Sequence, residues 1–128
     1  MPAASVKNGS SRDLAVAAAR AAADKQGERV VVLDVRDLIV ITDYFVISSG
    51  GSQRQVRTIV DEVERALRTQ GVKPVRREGE REGGWVLLDF VDVVVHVFAP
   101  EERDYYDLER LWRDAPTVEW EEVGAASG

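Results

Sequence analysis

The run Ser49-Gly50-Gly51-Ser52 is the first stretch whose residue types could take part in phosphate chemistry. It precedes a predicted helix, and backbone N–H groups at a helix N-terminus point at an anion. A Gly-Ser turn is also found in nucleotidyltransferases, which need carboxylates on a neighbouring strand to hold two metal ions. The run has neither the lysine of a P-loop nor the spacing of a dinucleotide fingerprint. We interpret it as a turn and helix cap, with phosphate binding as the alternative.

His96 is the only histidine, and the chain contains no cysteine. It stands between Val94 and Phe98 on a predicted strand, where an imidazole is more often packed or partner-facing than a base. The sequence pairs it with no serine or cysteine nucleophile and with no second metal ligand. Asp89 and Asp92 are interpreted as turn formers. The sequence therefore predicts no catalytic residue, no metal and no cofactor, and a protein that is not an enzyme.

The elements that must position these residues centre on residues 85–98, the most apolar stretch of the chain. Gly83-Gly84 precedes it and Pro100 follows it, which favours two strands folded at residues 89–92. Val93, Val95 and Val97 would share one face of the second strand, and Val94, His96 and Phe98 the other. Because both faces are apolar, we expect the strand to be central in the sheet. Other elements then cover both of its faces, or they cover one face and the other face is a binding surface.

Periodicity predicts the remaining elements around this hairpin. Ser52 and Gln55 have the spacing of a capping box. The order αββαβββα implies an α/β or α+β domain with a single mixed β-sheet flanked by helices. The predicted elements are a helix from Ser10 or Ser11 to about Lys25, strands over 30–35 and 44–48, a helix to Gln70, a short edge strand within 73–77 and a helix over 101–113.

Composition predicts one soluble domain. We expect a disordered leader over residues 1–10, a folded domain over 11–113 and an acidic, flexible tail over 114–128. The absence of cysteine fits a reducing cytoplasm, and no apolar run is long enough for a membrane span. We therefore expect a cytoplasmic protein.

The net charge of −6 lies entirely at the C-terminal end. Residues 1–100 hold 14 acidic and 14 basic side chains, whereas residues 101–128 hold 9 acidic and 3 basic ones. An acidic surface repels the nucleic-acid backbone. We therefore expect no direct DNA binding, and contact with the protein component of any ribonucleoprotein partner.

Large aromatic residues concentrate in the same part of the chain, at Trp85, Phe98, Tyr105, Tyr106 and Trp112. Each singly is a candidate for the core. Tyr105 and Tyr106 cannot share one helical face, so one of them should point outward. Exposed tyrosine and tryptophan with an acidic rim are typical of protein interfaces.

Several motifs follow one another in a fixed order: Asp43-Tyr44-Phe45-Val46-Ile47-Ser48-Ser49-Gly50, Ser52 with Arg54-Gln55-Val56, Trp85-Val86-Leu87-Leu88-Asp89, Asp92-Val93-Val94-Val95-His96-Val97-Phe98, and Glu102-Arg103 through Tyr105-Tyr106-Asp107-Leu108-Glu109 to Leu111-Trp112. By these motifs, over roughly residues 11–113, the chain resembles the ribosomal silencing factors, also called the RsfS or Iojap family. Two positions depart from the family pattern, with Gly51 where asparagine is common and Val91 where glycine is common.

The resemblance implies a fold related to the nucleotidyltransferases without their activity. It also implies binding to the large ribosomal subunit through ribosomal protein uL14, where it would block the small subunit and slow translation when nutrients are scarce. The partner-binding residues that it implies by position are Trp85, Leu87, Asp89, His96, Tyr106 and Glu109. Arg103 and Trp112 would instead hold the C-terminal helix on the sheet. Alternatives are a large-subunit assembly factor, a residual phosphate-binding nucleotidyltransferase, and a homodimer that uses the same surface when free.

Overall fold

The structure, a computed structural model, describes the backbone of residues 3–121 and the side chains of residues 11–121. Its elements follow the predicted order, except that the last helix is divided in two. They are α1 (Ala3–Asp24), β1 (Glu28–Asp34), β2 (Tyr44–Ser49), α2 (Gln53–Arg68), β3 (Arg76–Glu78), β4 (Trp85–Asp89), β5 (Val93–Phe98), α3 (Pro100–Tyr106) and α4 (Leu108–Leu111).

The strands form one mixed sheet in the order β1-β2-β5-β4-β3. Strand β5 pairs in parallel with β2 and antiparallel with β4, and the other neighbouring pairs are antiparallel. The predicted fold class is therefore confirmed. As predicted, β5 is the central strand, and β3 is a short edge strand whose residues are all exposed.

Helices α1 and α2 cover the first face of the sheet. Small residues of α1, including Ala15, Ala18 and Ala22, are completely buried, which lets the helix approach the strands closely. Val93, Val95 and Val97 of β5 are completely buried in the same core, as the alternation of the strand predicts. Full burial of a valine side chain contributes about 1.5–3 kcal/mol, so this face supplies much of the hydrophobic stabilisation.

The ends of the two long helices differ from the predictions in two details. Ser52 caps α2 as predicted, because its Oγ accepts a hydrogen bond of 3.1 Å from Gln55 N. The Gln55 side chain donates to Lys25 O instead of returning to Ser52, so the capping box is half formed. Helix α1 begins at Ala3, not at Ser10 or Ser11 as predicted.

Helices α3 and α4 pack on part of the second face, together with a smaller core that includes Phe45, Ile47 and Phe98. The prediction of one helix over 101–113 was wrong because Asp107 takes a left-handed conformation with φ of 48°. Aspartate tolerates this region better than most residues. The break lets Leu108 of the second helix turn into the core, where it is 8% exposed.

Arg103 fastens α3 to the sheet. Its side chain is completely buried, and it pairs bidentately with Glu109 through contacts of 3.0 and 2.8 Å. It also donates to Ser49 Oγ at 3.2 Å and to the carbonyls of Glu28 and Arg29. These carbonyls belong to a register irregularity of β1 between Glu28 and Val31. The guanidinium therefore joins α3, α4, β1 and β2, as its predicted role requires.

The segment after α4 packs along the free edge of β1. Val118 is buried, and Val118 N donates to Val32 O at 2.8 Å. Trp120 Nε1 donates to Val30 O at 3.1 Å. The described part of the predicted flexible tail therefore belongs to the packed domain, while residues 122–128 lie outside the described residues.

Residues 1 and 2 of the predicted leader also lie outside the described residues, and residues 3–10 are helical backbone of α1. The division at residues 11 and 113 otherwise stays a prediction.

Replacing Arg103 with leucine should destabilise the protein by roughly 3–5 kcal/mol, because it leaves a carboxylate and two carbonyls without their donor. Urea unfolding of the variant and the wild type measures this difference. Arg110→Leu is the matched control, since Arg110 is exposed on α4, and it should change stability by less than about 0.5 kcal/mol. Equal stability of the two variants would show that the buried guanidinium does not hold the helices.

Candidate partner-binding surface

Five of the six predicted partner-binding residues meet on the second face of the sheet. Trp85, Leu87 and Asp89 alternate along β4 and therefore point to one side. The antiparallel register places Leu87 opposite His96 of β5. Tyr106 completes the group, because its ring lies 4.5 Å from the Trp85 ring. We call this set of residues the open face: Trp85, Leu87, Asp89, His96 and Tyr106.

An aromatic cluster holds the side chains of the open face in place. Trp85 Nε1 donates to His96 Nδ1 at 3.1 Å, and the Trp85 ring stacks on Phe98 at 5.0 Å. Tyr106 is 45% exposed over this cluster, whereas Tyr105 is 80% exposed and points outward. The prediction that one of the two tyrosines points outward is confirmed. Trp85 is half-buried, so it keeps an accessible surface while its orientation is fixed.

His96 is buried and electrically neutral at pH 7. Burial lowers its pKa from the ordinary 6.5 to about 4, since the apolar surroundings disfavour the charged form. Because Nδ1 accepts from Trp85, the proton of the neutral ring is on Nε2. Nε2 is buried and has no hydrogen-bond partner among the residues that the structure describes. The ring is therefore packed, as predicted, and offers a donor.

Asp89 closes the turn between β4 and β5. Its Oδ1 accepts from Val91 N at 2.8 Å, and its Oδ2 pairs with Arg76 at 3.3 Å. Val91 takes a φ of 75°, a conformation that a glycine would adopt without strain. The interpretation of Asp89 as a turn former is confirmed, and its carboxylate remains at the edge of the open face.

Glu109 is set apart from the other five residues. Both of its carboxylate oxygens accept hydrogen bonds from Arg103, which lowers the pKa of the carboxyl group. Its contacts within the chain are therefore structural, and its role towards a partner stays a prediction. Trp112 packs edge-on against Phe45 at 5.2 Å, in the holding role predicted for it.

A groove with a volume of about 330 Å³ continues the open face towards the loop between β1 and β2. Leu87, Asp89 and His96 line it from the open face. Among its other lining residues, Phe45 and Val94 stand within the quoted motifs, and Val94 was predicted on the same face of β5 as His96, but no binding role was assigned to either. A further sequence signal existed for Ile41, which follows Val40 in a loop where two β-branched apolar residues are unusual. These further residues are Ile41, Thr42, Phe45, Arg76, Val91 and Val94.

The run 49–52 is a turn and cap in the structure. Ser49 Oγ donates to Glu28 O at 3.3 Å and accepts from Arg103, which commits it to the fold. A Cβ on Gly50 would lie 2.9 Å from Val56 N, so close packing of backbone requires glycine there.

Within residues 11–121 there is no group of three His, Asp or Glu side chains that could hold a metal ion. The part of the chain that the structure describes has no helix long and apolar enough to span a bilayer.

The fold and this surface define an α+β domain with a mixed five-stranded sheet, one face of which carries a half-exposed aromatic and apolar surface. The sequence model of the family described as "Ribosomal silencing factor during starvation" matches residues 8–127, and the chain belongs to this family. The resemblance that the motifs predicted is therefore confirmed.

Individual relatives agree with this assignment. The ribosomal silencing factor RsfS of Halalkalibacterium halodurans is 46% identical over 114 residues, covering 89% of this chain and 97% of that protein. The factor of the same name from Bacillus subtilis is 43% identical over 102 residues, covering 80% and 86%. A crystal structure from Chromobacterium violaceum is 39% identical with a TM-score of 0.76, covering 79% of this chain and 84% of that chain. The chain is thus a ribosome-associated regulator of translation, and its relatives carry the names of regulators.

The free energy of unfolding should fall as the pH is lowered from 6.5 to about 4. In this window the unfolded chain binds a proton at His96 and the folded chain does not, so protonation favours unfolding, by roughly 3 kcal/mol at the acidic end. Urea unfolding across this pH range measures the slope. His96→Asn removes the titrating group, and the difference between the two curves isolates His96 from the carboxyl groups. If the curves of the wild type and of His96→Asn are parallel, the pKa of His96 in the folded protein is not lowered, and the burial argument fails.

Proposed function

We propose that this protein represses translation in the cytoplasm by binding the large ribosomal subunit through ribosomal protein uL14. The bound protein blocks the surface where the small subunit docks, and so slows translation under nutrient limitation. The action is steric, and no chemical step is required of any side chain. The partner-binding residues of the proposal are Trp85, Leu87, Asp89, His96, Tyr106 and Glu109.

The observation that carries the proposal is the half-exposed apolar and aromatic surface on the second face of β4 and β5. Trp85 and Leu87 are half-buried and Tyr106 is 45% exposed, so α3 and α4 leave this part of the face accessible. Large aromatic side chains that are already fixed lose little entropy when they bind, which makes them effective interface anchors. Trp85 is fixed in this way by His96 and Phe98.

Charge supports a protein partner over bare RNA. Glu101, Glu102 and Asp104 lie on α3, the helix that carries Tyr106, and the chain has a net charge of −6. An acidic surface attracts a basic protein and is repelled by phosphate groups. The acidic segment therefore favours approach to a basic ribosomal protein.

Size is compatible with a steric block. A stable complex buries roughly 1,200–2,000 Å² in total, about half of it on each partner. The open face, the groove beside it and the exposed Tyr105 form one continuous region, since Leu87, Asp89 and His96 also line the groove and the Tyr105 ring lies 5.0 Å from the Tyr106 ring. In the free protein the same region is available for a homodimer, which would compete with ribosome binding.

Replacing both Leu87 and Tyr106 with alanine should abolish co-sedimentation with purified large subunits. Two truncated anchors at about 2 kcal/mol each weaken binding by roughly three orders of magnitude. Arg57→Ala is the control, since Arg57 is exposed on α2 at the opposite face, and it should bind like the wild type. Thermal unfolding of each variant confirms that it is folded.

Isolated uL14 tests the proposed partner, and light scattering of mixed subunits tests the proposed action. The wild type should bind uL14 and slow subunit joining, and the double variant should do neither. Binding to large subunits without binding to uL14 would contradict the named partner. Subunit joining at an unchanged rate with the protein bound would contradict the steric block.

A further inference from the structure

The groove beside the open face has the composition of a binding pocket. Its walls are the loop between β1 and β2 on one side and the β4–β5 hairpin on the other, and its volume is about 330 Å³. Ile41, Phe45, Leu87 and Val94 make the lining largely apolar. Protein binding pockets combine such a lining with a small number of polar groups that orient the ligand.

Two of the groove residues carry a buried polar atom without a partner. Thr42 is 3% exposed and His96 is 5% exposed. Thr42 Oγ1 and His96 Nε2 make no hydrogen bond within the part of the chain that the structure describes. Burying a polar atom without a partner is unfavourable, and such atoms in native proteins call for an explanation. Both residues line the same groove, so a ligand seated there supplies the missing partners if the side chains that cover the two buried atoms shift on binding.

We propose that the groove receives one apolar side chain of the ribosomal protein partner, and that the main chain next to it hydrogen-bonds to Thr42 and His96. The neutral imidazole donates from Nε2 to a carbonyl oxygen, and the hydroxyl of Thr42 donates or accepts. This inference rests on the proposed function, and it adds a second contact point to the open face.

A protein segment fits the groove better than RNA does. The carboxylate of Asp89 stands in the groove wall, and the neighbouring Arg76 is already paired with it. An apolar pocket with a carboxylate at its edge disfavours a phosphate. The groove is continuous with the open face through Leu87, Asp89 and His96, so one partner covers both.

Ile41 and its neighbour Val40 provide a matched test. Both are exposed, by 79% and 99%, and both lie in the same loop, but only Ile41 lines the groove. Ile41→Asp should raise the Kd for purified large subunits at least tenfold, because it places a charge at the groove. Val40→Asp introduces the same charge one residue away, and its Kd should stay within twofold of the wild type.

Thr42→Val provides a second measurement that does not depend on an added charge. The substitution keeps the shape and removes the unpartnered hydroxyl, so the melting temperature should be unchanged or higher. Binding to large subunits should nevertheless weaken severalfold. Wild-type affinity in this variant would overturn the hydrogen bond assigned to Thr42.

The outcomes separate this inference from the proposed function. If the wild type does not bind large subunits, the proposed function fails, and this inference with it. If the wild type binds and the Ile41→Asp and Val40→Asp variants have the same Kd for large subunits, whether low or high, the groove is not a contact and only this inference fails. If Ile41→Asp alters self-association in sedimentation velocity but leaves ribosome binding intact, the groove holds a second copy of the chain and the inference is overturned.

Discussion

The buried guanidinium of Arg103 determines which part of the sheet is covered and which part is left open. It binds Glu109, Ser49 and two carbonyls of β1, and so ties α3 and α4 to the β1–β2 half of the second face. Leu108, Ala115 and the half-buried Trp112 fill the small core there. The same geometry leaves the β4 side of the face with Trp85 and Leu87 only half-covered. A charged group this deeply buried is favourable only when all its donors are matched, which makes the position of the two helices well defined.

Strand β5 connects this arrangement to function. Its first face supplies Val93, Val95 and Val97 to the main core, and its second face supplies His96 and Phe98 to the aromatic cluster. One strand thus anchors the fold on one side and fixes the exposed surface on the other. A surface that is rigid before binding loses little conformational entropy on association. Burial keeps His96 uncharged at pH 7, so no charge lies buried beneath this surface at that position.

The sequence predicted the features that depend on local patterns. Alternation on β5, the cap at Ser52 and the capacity of Asp89 to form a turn are each encoded within a few residues, and each is confirmed. Two features of the C-terminal part were not predicted. The left-handed Asp107 that divides the last helix, and the docking of Trp120 on Val30, depend on contacts between distant segments. The groove was missed for the same reason, because Ile41 and Val91 belong to separate turns that only the folded sheet brings together.

In the proposed complex, the second face of β4 and β5 contacts the large ribosomal subunit. Hydroxyl-radical footprinting of the protein, free and bound to purified large subunits, tests this contact most directly because it reports the accessibility of individual side chains. Trp85, Leu87 and Tyr106 should lose reactivity on binding, while Trp120, which packs on the β1 edge, should keep it. Unchanged reactivity of Trp85, Leu87 and Tyr106, together with protection on the outer side of α1 and α2, would contradict the account.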